Sequence, residues 1–135
     1  MELDLATSPD YLPMDPKRLL ERLHTALNAR DLVNLMHLFQ VDFEQFWPGQ
    51  GKKETTGLEP VRTEWEHIFR DHPDFRADLI AKAFEGMMIW SEWRWLGNGG
   101  AAGGGESIKR VGVIIFSVEE GLIASARYYM VEDRS

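Results

Sequence analysis

Apolar residues recur along this chain at two spacings, and the switch between them divides it. From Asp15-Pro16 onward, Leu19, Leu20, Leu23, Ala26 and Leu27 follow a helical period and form one stripe. Asp15 can accept from a free backbone N–H and Pro16 suits the first helical position, so a helix is predicted to begin there. Asp31 reads as a second N-cap, with Leu32, Leu35, Met36 and Phe39 repeating the stripe in a shorter helix. The period then drops to two. Phe43, Gln45 and Trp47 alternate with Asp42, Glu44 and Phe46, which predicts a strand ending at Pro48-Gly49. Residues 54–56 read as a short return strand. A third helix follows Gly57, with Val61, Trp65, Ile68 and Phe69 on its apolar face and an end at Asp71-His72-Pro73.

Everything after Pro73 has strand character. Residues 75–84 and 87–96 are joined at Glu85-Gly86, and residues 108–118 and 122–131 at Glu119-Glu120-Gly121, two predicted hairpins. Between the pairs, residues 97–105 hold six of the twelve glycines and read as a flexible loop. Three helices with one small hairpin among them, followed by a four-strand antiparallel meander, is an α+β order. Residues 1–15, with Ser8-Pro9-Asp10 and Leu12-Pro13, read as an N-terminal arm, and residues 16–132 as one domain.

Composition narrows the function classes. The formal net charge is −7 with no run of Lys or Arg, so nucleic acid and anionic membranes are not expected partners. There is no cysteine, which removes disulfides, thiolate zinc sites and Cys nucleophiles. No apolar run approaches a membrane span, and the acidic start Met1-Glu2-Leu3-Asp4 is no signal peptide, so a cytoplasmic location is expected. Five Trp and seven Phe are more aromatic bulk than a minimal core of this size needs, which suggests a lined cavity or an interface. His24, His37, His67 and His72 show no ligand spacing and read as surface or edge residues; no metal or cofactor is expected.

Several segments carry a resemblance. Leu27-Asn28-Ala29-Arg30-Asp31-Leu32, Thr56-Gly57, Glu92-Trp93-Arg94-Trp95-Leu96-Gly97 and Glu120-Gly121-Leu122-Ile123…Arg127-Tyr128-Tyr129 occur in the order and spacing of the SnoaL-like branch of the nuclear-transport-factor-2-like superfamily. The resemblance spans roughly residues 16–132. It implies a cone-shaped α+β barrel: three helices on a curved, mostly antiparallel sheet, a pocket on the concave face, and often a dimer through the convex face. It does not imply one activity, because such relatives include isomerases, polyketide cyclases, epoxide hydrolases and binders. The carboxylate and tyrosine positions of the steroid isomerases fall on Trp47, Leu23 and near Ile114. The Arg and Asp set of the epoxide hydrolases has only Glu92-x-Arg94 to offer. The cyclases use a His and an Asp in the pocket, and no His lies on the sheet strands here.

Within such a cone, alternation assigns the faces. Ile89, Ser91, Trp93 and Trp95 are expected inside, with Gly112, Ile114, Phe116, Tyr128 and Met130, since unpaired charge is costly there. The expected ligand-binding set is Phe43, Gln45, Trp47, Trp65, Ser91, Trp93, Trp95, Ile114, Phe116, Tyr128 and Met130, suited to a small hydrophobic or aromatic molecule. If a reaction is run, it is a proton transfer of cyclase or isomerase type. Gln45, Ser91 or Tyr128 would then hold an oxygen and His24 serve as base, or Glu44 if the strand register slips. Trp90, Glu92, Arg94, Val113, Ile115, Arg127 and Tyr129 are expected outside, an apolar strip with polar contacts that predicts a homodimer. A cone filled by Trp47, Trp65, Trp93 and Trp95 would instead mark an interaction module.

Overall fold

The computed structural model describes residues 14–51, 53–99 and 106–134. The expected arm, residues 1–15, lies outside them apart from Met14 and Asp15, and so does most of the glycine-rich segment, residues 100–105. Three helices pack on one curved sheet. Helix α1 (Pro16–Ala29) starts where Asp15 accepts from the Arg18 N–H and Pro16 opens the first turn. It buries Leu19, Leu20, Leu23, Ala26 and Leu27, each leucine contributing roughly 1.5–3 kcal/mol of burial. It ends at Arg30, whose left-handed backbone (φ 53°) turns the chain back on itself.

Helix α2 (Leu32–Met36) is capped by the Asp31 carboxylate. Phe39, predicted as its last apolar residue, instead opens strand β1 (Phe39–Trp47), where it pairs with Ile123. Local periodicity allowed either reading; the ladder to a strand more than eighty residues away settles it, with the Ile123 N–H donating to the Leu38 carbonyl. A 3₁₀ turn (Pro48–Gln50) leads to β2 (Lys53–Thr56), α3 (Leu58–Asp71), β3 (Arg76–Glu85), β4 (Met88–Gly97), β5 (Ile108–Glu119) and β6 (Leu122–Glu132). The strand order is β2-β1-β6-β5-β4-β3. Every pairing is antiparallel except β1 with β6, which is parallel and joins the first hairpin to the meander. This α+β cone is the expected fold, but the parallel join is a long-range contact that no local pattern announces.

Two features place the helices and bend the sheet. Strand β3 is an edge, and α1 lies against its first half. The Asn28 carboxamide accepts from the Ala77 N–H at 2.7 Å and donates to the Ala77 carbonyl at 2.9 Å. Arg30 Nη1 donates to the Phe75 carbonyl at 2.8 Å. One side chain thus stands in for a missing neighbour strand and satisfies buried backbone groups. On the other side, Gly112 faces Trp93 across the β4–β5 ladder, with φ at 154°. A Cβ there would sit 2.1 Å from the Tyr129 carbonyl oxygen, so only glycine lets β6 approach this closely.

Candidate functional site

The concave face collects the residues that alternation assigns to it. Phe43, Gln45, Trp47, Ile89, Ser91, Trp93, Trp95, Ile114, Phe116, Tyr128 and Met130 are all buried, as is Trp65, which α3 contributes from above. Trp47 and Tyr128 stack face to face, with ring centroids 4.3 Å apart. Their strands run in parallel register, Phe46 beside Arg127, which sets the two rings side by side. At the other end Trp65, Phe69, Phe75 and Trp95 form an aromatic cluster, with Trp65 and Trp95 edge to face at 5.3 Å.

These rings leave little room. The internal cavity, bordered by Leu23, Leu35, Trp65, Trp93, Trp95, Ile114 and Tyr128 among others, measures about 20 Å³. That is space for one water, whereas drug-sized ligands occupy roughly 300–1,000 Å³. A wider, open depression of about 500 Å³ runs along the end of β6 beside Gly49 and Gln50, and Tyr128 borders both.

The polar groups inside divide into used and unused. Ser91 Oγ donates to the Ile114 carbonyl at 2.7 Å and accepts from Trp93 Nε1 at 2.8 Å, so both groups are committed to the core. Gln45 Nε2 donates to Thr55 Oγ1 at 3.1 Å, while its Oε1 has no partner among the described residues. Trp95 Nε1 is likewise buried and unpartnered. The Tyr128 hydroxyl is held well above the ordinary phenol range, first by burial and then by the Glu64 carboxylate, so it stays a neutral donor.

The catalytic candidates are not brought together. Glu44 is exposed, on the side of β1 opposite Phe43 and Gln45, and the register near it (Gln45 with Ala126) keeps it there. His24 is half-buried, its ring edge-on to Trp93 at 5.6 Å, with Nε2 2.9 Å from the Ala77 carbonyl. His72 is buried, not at the surface as the sequence suggests; it packs against Gly97, and its Nδ1 has no partner among the described residues. Its position before Pro73 places it at the end of α3 under β4, a tertiary contact invisible to spacing. Among the described residues no three His, Asp or Glu side chains converge as metal ligands.

One acidic residue near Tyr128 was missed. Glu64 shares the i, i+3, i+4 spacing of Val61, Trp65 and Ile68, so it belongs to the sheet-facing side of α3 and is only half exposed. The helical spacing carries that signal in the sequence, since a polar residue at a stripe position shares the buried face.

On the convex side Trp90, Glu92, Arg94, Arg127 and Tyr129 are exposed, Val113 is half-buried and Ile115 is buried between its neighbours. Trp90 and Tyr129 each keep 43% of their surface exposed and Val131 keeps 63%. Arg127 lies over the Phe46 ring at 5.6 Å, and its Nε donates to the Tyr129 hydroxyl at 3.3 Å. Among the described residues no helix is long and apolar enough to cross a membrane.

A cone of three helices on this six-stranded sheet, with an aromatic interior, defines a class that the comparisons make specific. The family model of the SnoaL-like domain matches residues 20–126, and the chain belongs to that family. A SnoaL-like protein of unknown function from Burkholderia thailandensis is similar at 19% identity and a TM-score of 0.69, over 85% of this chain and 92% of that one. An M. tuberculosis LEH-like epoxide hydrolase matches at 16% identity and 0.65, over 82% and 77%. A hypothetical protein of ketosteroid isomerase-like fold from Catenulispora acidiphila, in complex with trimethylamine, matches at 14% and 0.65, over 86% and 87%. At these identities the likeness is one of fold. No curated protein matches the chain.

Proposed function

We propose that this domain is a binder of a small, uncharged hydrophobic or aromatic molecule, held in the cone, rather than an acid–base enzyme. The observation that carries this reading is that two residues of the concave face, Gln45 and Trp95, each bury a polar atom, Oε1 and Nε1, without a partner among the described residues. Each costs about 1–3 kcal/mol when left unsatisfied. A core built only for stability gains nothing from them, while a guest with a polar atom removes the cost. A cyclase or isomerase would need a free base inside the cone; Glu44 is exposed on the outer side, His24 is engaged at the Ala77 carbonyl, and Glu64, half exposed on α3, does not border the internal cavity. The guest must spread the aromatic lining as it enters, shifting the protein toward a more open state. Saturation-transfer NMR with a panel of neutral bicyclic aromatics tests the reading. With irradiation at the protein's methyl resonances, transfer to a bound compound is expected. No binding by any member would sink it.

The small size of the cavity favours a second reading, an interaction module whose cone is filled and whose sheet does the work. In either case the partner proposed for the convex face is a second copy of this chain. Trp90, Val113 and Tyr129 supply an apolar centre over the buried Ile115, and Glu92, Arg94 and Arg127 supply both charge signs around it, the composition of a self-complementary interface.

A further inference from the structure

Strand β6 outruns one of its neighbours. Its parallel ladder with β1 stops at Phe46 beside Arg127, while its antiparallel ladder with β5 continues to Glu132. The sequence supplies the cause: β1 ends at Trp47, and the next residue, Pro48, has no N–H to give to a ladder. The Asp133 N–H donates to the Lys109 carbonyl, so the hydrogen-bonded pairs with β5 fall on the odd residues of this segment of β6. Met130 and Glu132 therefore turn their N–H and C=O groups the other way, toward the place β1 has left. No residue among those described pairs with them there. The open depression of about 500 Å³ follows this edge. Consecutive residues from Tyr128 to Glu132 line it, even ones belonging to the concave face and odd ones to the convex, which marks a trough along the strand's edge rather than on either face. Gly49 and Gln50 form its other wall.

We propose that this edge docks one extended, uncharged segment of a partner polypeptide, which takes the ladder position β1 vacates and bonds to the Met130 and Glu132 backbone. The site lies outside the cone interior and does not depend on what the cone holds. Its walls set the chemistry of the guest. A second folded sheet would carry its next strand about 4.8 Å farther out, into the turn at Gly49 and Gln50, so a lone strand fits and a sheet edge does not. The charged residues that border the trough, Glu132 and Arg134, lie 3.7 Å apart and offset each other, which favours a segment without charge. Tyr129 and Val131, 43% and 63% exposed, flank it on the convex side, so alternate residues of the segment are apolar and β-branched or aromatic. The free edge runs for roughly 13 Å, the length of about four extended residues.

The test titrates the capped peptide acetyl-Val-Thr-Val-amide into the ¹⁵N-labelled full chain, beside an analogue with the same side chains and all three residue nitrogens methylated. The backbone N–H resonances of Met130 and Glu132 should move downfield, while those of Tyr129 and Val131, already bonded to β5, move much less. The methylated analogue should bind about ten-fold more weakly or worse, the loss of about two neutral hydrogen bonds. Stationary Met130 and Glu132 resonances up to the peptide's solubility limit overturn the proposal. Equal shifts on even and odd residues, or equal affinity of the two peptides, overturn strand pairing and with it the proposal. Hydrogen exchange of the free chain supplies the remaining check. Fast exchange at the Met130 and Glu132 amides is expected. Protection at every protein concentration would assign the edge to a segment of the chain itself, and protection that grows with concentration would assign it to a second copy; either result overturns docking of a partner.

Discussion

Replacing Asn28 by alanine separates a fold held by α1 from one held by the sheet alone. The Asn28 carboxamide makes two hydrogen bonds to Ala77, a residue with no exposed surface on the edge strand β3. Truncation leaves the Ala77 N–H buried without its partner, at about 1–3 kcal/mol. Its carbonyl keeps the contact with His24 Nε2 at 2.9 Å, so loss of the second bond adds only about 1 kcal/mol. Alanine returns about 0.5 kcal/mol through better helix propensity. The net expectation is a loss of about 1.5–3.5 kcal/mol, or about 10 °C in melting temperature for a domain of this size. Urea denaturation followed by tryptophan fluorescence gives the free energy directly. Asn28→Asp should be no better at neutral pH, since it cannot donate and sets a charge against the Ala77 carbonyl. A loss below about 0.5 kcal/mol for Asn28→Ala, against the 1–3 kcal/mol expected for an orphaned N–H, would refute the idea that this side chain replaces a strand.

Gly112→Ala should prevent stable folding, because its Cβ would lie 2.1 Å from a backbone oxygen and 2.7 Å from the Met130 Cα. Gly97→Ala would bring its Cβ to 3.1 Å from His72 Cβ, a crowding that a shift of a few tenths of an ångström relieves, and should fold with a modest loss; similar circular dichroism melts for the two would contradict the argument. Tyr128 should resist ionisation when alkaline absorbance at 295 nm is followed. Its folded-state pKa is raised, so the associated stability is intact below the unfolded value of about 10 and is lost as pH rises beyond it. Tyr128→Phe should remove the late, unfolding-coupled step, and early titration of all three tyrosines would count against burial. Val113→Glu sets a like charge against itself across a two-fold interface, so light scattering should report one chain mass for the variant and two for the wild type; a monomeric wild type would end the dimer proposal.

Much of this fold was written in local pattern. The stripe from Leu19 to Leu27, the Asp15 and Asp31 caps and the alternation through Trp93 and Tyr128 each follow from the period of a single element, and each reappears in the structure. The facing of Ser91 and Trp95 was legible for the same reason. What the sequence could not announce depends on residues far apart in the chain. Phe39 left its helix for a parallel ladder with Ile123, and His72 was buried by Gly97. The charge of Glu64 acts on the Tyr128 hydroxyl only because the fold brings residues of α3 and β6 near each other. The size of the cavity was decided there too, since the stacking of Trp47 on Tyr128 and the clustering of Trp65 with Trp95 depend on how rings from different elements interlock. Periodicity tells which way a side chain points, while the space left between side chains is a property of the packed whole.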